Sequence, residues 1–140
     1  NYTVIGDTVN TAARLESISK IYGVRVLVSD VTALEAADDI EAREIDSVYL
    51  AGQQVPHAIY EIMSAKSALS ENRRHLKALY ADALAAYRAQ HWDKASEFLN
   101  AALGIAPKDG PSMVLLDRIA AFRVAPPPAD WEGVWRFDQK

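Results

Sequence analysis

Cysteine is absent from the 140 residues, so disulfides and thiolate metal sites are excluded and a reducing compartment is compatible with the chain. No apolar run approaches the roughly 18 residues that a membrane-spanning helix needs. No secretory signal pattern is seen either. The expected location is therefore cytoplasmic, with any membrane anchor supplied upstream. A basic excess is missing: 15 Lys and Arg face 19 Asp and Glu, for a net charge of −4. A general nucleic-acid binder normally presents a basic surface, so that class is set aside. Proline is scarce, at 6, and three of the six stand together in "APPPAD". A helix cannot continue through that run, because proline lacks the N–H and clashes with the preceding turn. What the chain has in quantity is apolar surface. Half of its residues are hydrophobic, enough for a packed core.

The first half mixes two periodicities. Tyr2 to Ile5 is short, apolar and β-prone, and Gly6-Asp7 breaks it. Asp7 or Thr8 then offers a side-chain oxygen to the free N–H groups of a helix running to about Tyr22. Val9, Ala12, Ala13, Ile18 and Ile21 are expected on its buried side, and Gly23 at its C-terminal cap. Val24 to Ser29 reads as a strand, followed by a short helix from Asp30 to Ala36 capped by Ser29 or Asp30. "AREIDSVYLAG" and "HAIYEIM" read as an antiparallel hairpin across "GQQVP".

Beyond Ala65 the strand signals stop. Three helices are expected, near Ser70 to Gln90, Asp93 to Ala106 and Gly110 to Phe122. The fold class is thus α+β followed by an all-α segment, divided as 1–66, 67–125 and a Pro/Trp-rich tail, 126–140. Trp131, Trp135 and Phe137 could dock that tail on the helices. Ala83, Trp92, Ala95, Leu99, Ala102 and Pro107 follow at spacings of 9, 3, 4, 3 and 5. Without gaps, this resembles one tetratricopeptide repeat, with Gln90 where a glycine is usual. The alternative is an ordinary helical hairpin.

Asn10 and Arg14 stand four apart, so a helix projects both from one face. A carboxamide beside a guanidinium makes a donor-rich patch suited to an anionic oxygen or a phosphoryl group. The plainer alternative is a solvated face with Arg14 paired to Glu16 or Glu35. His57, His75 and His91 show no metal-ligand spacing, and Arg73, Arg74 and Lys77 read as a solvated basic face.

The string "YTVIGDTVNTAARLE" closely resembles the signature of class III adenylate and guanylate cyclases, a strand followed by G-[DN]-x-V-N-x-[AV]-[AS]-R. Gly6, Asp7, Val9, Asn10, Ala12, Ala13 and Arg14 fill every signature position. "VRVLVSDVTALEA" and "REIDSVYLAGQQVPHAIYEIM" resemble the family's next strand, short helix and closing hairpin, so the resemblance covers about residues 1–63. It implies a ferredoxin-like cyclase sheet, of which this chain holds part. It implies that Asn10 orients the ribose of ATP, that Arg14 stabilises charge on the α-phosphate, and that Thr3 reads the adenine edge. It implies a homodimer, since the family's site forms between two catalytic domains. Two divalent ions, Mg or Mn, are implied as well, but their two Asp ligands would lie upstream of Asn1, so no metal ligand is expected in this chain. Ala51-Gly52-Gln53 stands where the family usually has a Lys for the terminal phosphates. The chain is therefore expected to be the C-terminal part of a cyclase catalytic domain, inactive alone. The competing expectation is a helical interaction module carrying a vestige of the cyclase, and GTP is the alternative substrate.

Overall fold

The computed structural model describes residues 9–50 and 53–137, with side chains from residue 13 onward. The expected strand at Tyr2 to Ile5 and the cap at Asp7 or Thr8 lie outside the described residues. The elements run α1 (Val9–Tyr22), β1 (Leu27–Ser29), α2 (Asp30–Glu35), β2 (Ile40–Tyr49), β3 (His57–Ala65), α3 (Glu71–Arg88), α4 (Trp92–Ile105), α5 (Gly110–Val124) and β4 (Val134–Arg136). They form two compact units. The sheet unit holds the residues up to Leu69 together with those from Val134 onward. The helical unit holds Ser70–Gly133, and so lies in sequence between β3 and β4.

The sheet has four strands in the order β1-β3-β2-β4. β3 is antiparallel to both β1 and β2, whereas β4 runs parallel to β2. A register shift between Glu44 and Asp46 places Ile45 as an extra residue in β2. Strict alternation would give Ile45 and Asp46 to opposite faces. The bulge instead buries both, with Arg43, Val48 and Leu50, while Ala42, Glu44, Ser47 and Tyr49 stay half-exposed.

α1 ends in a Schellman motif. Gly23 adopts φ 70°, and the Val24 N–H donates to the Ser19 carbonyl at 3.0 Å. A side chain at Gly23 would meet the left-handed penalty that glycine avoids. The face that α1 buries is Leu15, Ile18, Ser19 and Tyr22, a clean i, i+3, i+4, i+7 stripe. The expected buried side holds at Ile18 and is corrected at Ala13, which is exposed, and at Ile21, which is 54% exposed, while the side chains of Val9 and Ala12 lie outside the described residues. Ala13 and Ile21 lie off the stripe that Leu15 and Tyr22 define at about 100° per residue. Ser29 caps α2, its Oγ accepting from the Thr32 N–H at 3.2 Å.

In the helical unit, Ser70 caps α3 by accepting from the Arg73 N–H, and Asp109 caps α5 by accepting from the Ser112 N–H. Pro111 sits in the first turn of α5, where its missing N–H costs nothing. Ala83, Ala95 and Ala102 are fully buried, so α3 and α4 approach across small side chains. α3 ends in a second Schellman motif: Gln90 takes φ 61°, and the His91 N–H donates to the Ala86 carbonyl. The expectation that the whole tail docks on the helices is also corrected. Trp131 joins their aromatic residues, but Val134–Arg136 pairs with β2, and Phe137 meets Tyr22 edge-on at 6.1 Å. The alternation Val-Trp-Arg-Phe suits a strand more than a docked coil.

Candidate functional site

α1 carries the two residues that the sequence singles out. Asn10 belongs to its first turn, and its side chain lies outside the described residues, as does Thr3 altogether. Arg14 follows one turn later and is half-buried. Among the described residues it has no ion-pair partner, so the pairing with Glu16 or Glu35 is not formed.

The position of α1 follows from its neighbours. The connection from Gly23 to Val26 is short, and α1 packs against β1. β1 and β2 point the same way, since each is antiparallel to β3. The last residue of α1, Tyr22, reaches the end where β2 and β4 finish, since it touches Asp46 and Phe137. The Tyr22 hydroxyl donates to Asp46 Oδ2 at 2.5 Å. Both residues are 0% exposed. Asp46 Oδ1 also accepts the Ser47 N–H at 2.8 Å. The β2 bulge thus aims a buried carboxylate at α1 and fixes the helix on the sheet. This latch was not read from the sequence, though two adjacent residues of opposite polarity, Ile45-Asp46, in a strand otherwise alternating are the signal a bulge leaves.

A second buried charge lies one layer further along the same face. Arg43 Nε donates to Glu61 Oε1 at 2.8 Å, with side chains 3% and 12% exposed. The two residues are direct cross-strand partners. At the far end of β2, His57 Nε2 and Gln53 Oε1 are 2.7 Å apart, the histidine donating in the tautomer protonated at Nε2. The Arg136 guanidinium stacks 4.1 Å over the Tyr49 ring. Ala51 and Gly52 lie outside the described residues. His75 and His91 are exposed.

Among the described residues, no group of His, Asp and Glu could hold a metal ion. Asp46 is engaged by Tyr22 and Ser47, and Asp38 and Asp39 are exposed beyond α2. The described residues do not fit the two-ion site that the resemblance implies. No helix among them is long and apolar enough to cross a membrane.

A half-buried guanidinium on a helix latched to a sheet suits binding a phosphoryl oxygen. The chain is similar to parts of adenylate cyclases. It is 35% identical over 69 residues to adenylate cyclase 1 of Rhizobium meliloti (strain 1021), covering 49% of the chain and 10% of that protein. It is 40% identical over 63 residues to the adenylate cyclase of Anabaena cylindrica, covering 43% of the chain and 12% of that protein. It is 29% identical over 124 residues to the terminal-differentiation specific adenylate cyclase of Dictyostelium discoideum, covering 83% of the chain and 6% of that protein. Neither compact unit alone amounts to 83% of the chain, so this last similarity reaches into both. The chain spans roughly a tenth of the length of these curated relatives. No family model matches, and no solved structure matches.

Proposed function

We propose that this chain is part of a class III adenylate cyclase, the enzyme that converts ATP to 3′,5′-cyclic AMP and pyrophosphate. The sheet unit supplies a helix that stabilises the transition state, as part of a ferredoxin-like cyclase sheet. The observation that carries this is Arg14: half-buried, without an ion-pair partner among the described residues, one turn after Asn10, on a helix fixed by the Tyr22–Asp46 hydrogen bond. As the ribose 3′-oxygen attacks, negative charge grows on the α-phosphoryl oxygens. A guanidinium already in place stabilises that charge without reorganising. Asn10 orients the ribose, and Thr3 reads the adenine edge, favouring ATP over GTP.

The two divalent ions, Mg or Mn, are assigned to residues outside this chain, on the partner catalytic domain of a homodimer in the cytoplasm. The site is complete only between two domains. The 140-residue chain by itself therefore forms no cyclic AMP. The helical unit is read as a repeat-like module, a reading supported by the burial of Ala83, Ala95, Leu99 and Ala102 at the repeat's spacing.

The test is a cyclase assay with ATP and with GTP, run on the chain alone and on a catalytic domain that contains it. Cyclic AMP from the domain and none from the chain is the expected result. Metal-dependent cyclic AMP formation by the pure chain refutes the division of the site. Cyclic GMP as the main product refutes the substrate assignment.

A further inference from the structure

Within the helical unit, residues 126–133 sit against α3, α4 and α5 in the way a bound peptide would. Trp131 is the anchor. Its ring lies 5.3 Å from Tyr87 at 78°, 5.2 Å from Phe122 at 61° and 6.2 Å from Trp92. Trp92 and Phe122 stack on each other at 5.3 Å and 23°, forming one wall, with Tyr87 as the floor. Tyr87 is fully buried, whereas Trp92, Phe122 and Trp131 remain half-exposed. A core would be closed on all sides. Here the rings line a cleft that still opens to solvent with the tryptophan in place.

The cleft also reads backbone. Gln90, held at φ 61° by the end of α3, donates from Nε2 to the Pro128 carbonyl at 2.9 Å. The Trp131 N–H donates to the same carbonyl at 3.0 Å, closing the turn that brings the ring back to the helices. Gly133 has φ +79°, and a Cβ there would stand 2.6 Å from Arg88 Cγ. The features engaged are thus a carbonyl three residues before the tryptophan and a glycine two residues after it. Upstream, Pro126 and Pro128 are exposed, and prolines favour an extended rod over a fold-back. The segment is attached through a stiff, solvated hinge just after Val124, the end of α5.

We propose that the Tyr87–Trp92–Phe122 cleft is a peptide-binding site for a Pro-x-x-Trp-x-Gly segment, occupied in cis by this chain's own Pro128–Gly133, and that a second copy's segment exchanges into it. The aromatic anchor supplies the affinity, since tryptophan is among the residues enriched at the hot spots of interfaces and here meets three aromatic rings. Identical contacts form whichever copy donates the segment, so exchange alters no contact inside the cleft. A short tether gives the cis segment an effective concentration in the millimolar range. Dilute wild-type chain therefore keeps its own segment, and exchange grows with concentration. The inference does not depend on the cyclase reading.

The test uses the full 140-residue chain and a fluorescent peptide of residues 125–137. Trp131→Ala empties the cleft and binds the peptide at least 10-fold more tightly than wild type does, because the cis competitor is gone. Peptides carrying Trp131→Ala or Gly133→Ala bind at least 10-fold more weakly than the parent peptide. Mixing Trp131→Ala chain with Phe122→Ala chain, which keeps the anchor but spoils the cleft, yields a heterodimer by native mass spectrometry. Equal peptide affinity for wild type and folded Trp131→Ala overturns the site. Peptide binding without any heterodimer overturns the exchange. If Trp131→Ala does not fold, the deciding measurement is native mass spectrometry of wild type from micromolar to millimolar concentration. A dimer fraction that rises and is abolished by excess peptide supports the proposal, and a monomer throughout overturns it.

Discussion

Replacing Tyr22 with Phe isolates the latch that holds α1. The ring and its edge-on contact with Phe137 are kept, and only the hydroxyl is lost. Asp46 is 0% exposed, so no solvent replaces the donor. The Ser47 N–H at 2.8 Å remains as a donor to Asp46 in the variant. A hydrogen bond to a charged group contributes about 1.5–3 kcal/mol, and the cost of leaving the acceptor underserved falls in the same range. Tyr22→Phe is therefore expected to destabilise the sheet unit by about 2 kcal/mol. For a unit of this size, that corresponds to roughly 10 °C in Tm. With two compact units, a single global transition is a poor reporter. Native-state hydrogen exchange of the β2 and β3 amides reads the sheet unit directly. Asp46→Asn makes the other arm of a double-mutant cycle with an expected coupling of at least about 1 kcal/mol. A loss below about 0.5 kcal/mol for Tyr22→Phe, or no coupling, refutes the latch.

Three further outcomes follow from the same reasoning. Glu61→Gln removes the counter-charge of Arg43, whose side chain is 3% exposed, and is expected to cost about 3 kcal/mol in urea denaturation. The double variant Arg43→Met with Glu61→Leu should recover most of that loss. Gly133→Ala combines a left-handed backbone with an approach of 2.6 Å to Arg88 Cγ, and should lower the Tm of the helical unit by an amount equivalent to about 2 kcal/mol. Gln90→Ala keeps the strained φ and loses the bond to Pro128, so it should cost about 1 kcal/mol, whereas Gln90→Gly relieves the strain and should be close to neutral.

Local signals carried much of the architecture. The three helices of the second unit begin at Glu71, Trp92 and Gly110, near the expected starts; for the first and third, a capping serine or aspartate and a first-turn proline act within a few residues. The hairpin was equally legible, since β2 and β3 are neighbours in sequence. Long-range relations were not. β4 pairs with β2 across the whole helical unit, and nothing local in "VWR" says which partner it finds. The face of α1 was misjudged at Ala13 and Ile21, where apolar character was taken as burial. The stripe runs through Leu15 and Tyr22 instead, and Tyr22 is held by Asp46, twenty-four residues away in sequence. For the candidate site, the spacing of Asn10 and Arg14 gave the face they share. That Arg14 stands half-buried without pairing to Glu16 or Glu35 needed the fold.

The central claim is that Arg14 acts on the transition state. Its most direct test is steady-state kinetics of Arg14→Ala in a catalytic domain that contains this chain, with folding checked by circular dichroism. Loss of one charge-stabilising donor is expected to lower kcat for cyclic AMP formation by about 10²–10³-fold while KM for ATP moves little. A kcat within threefold of wild type contradicts the account.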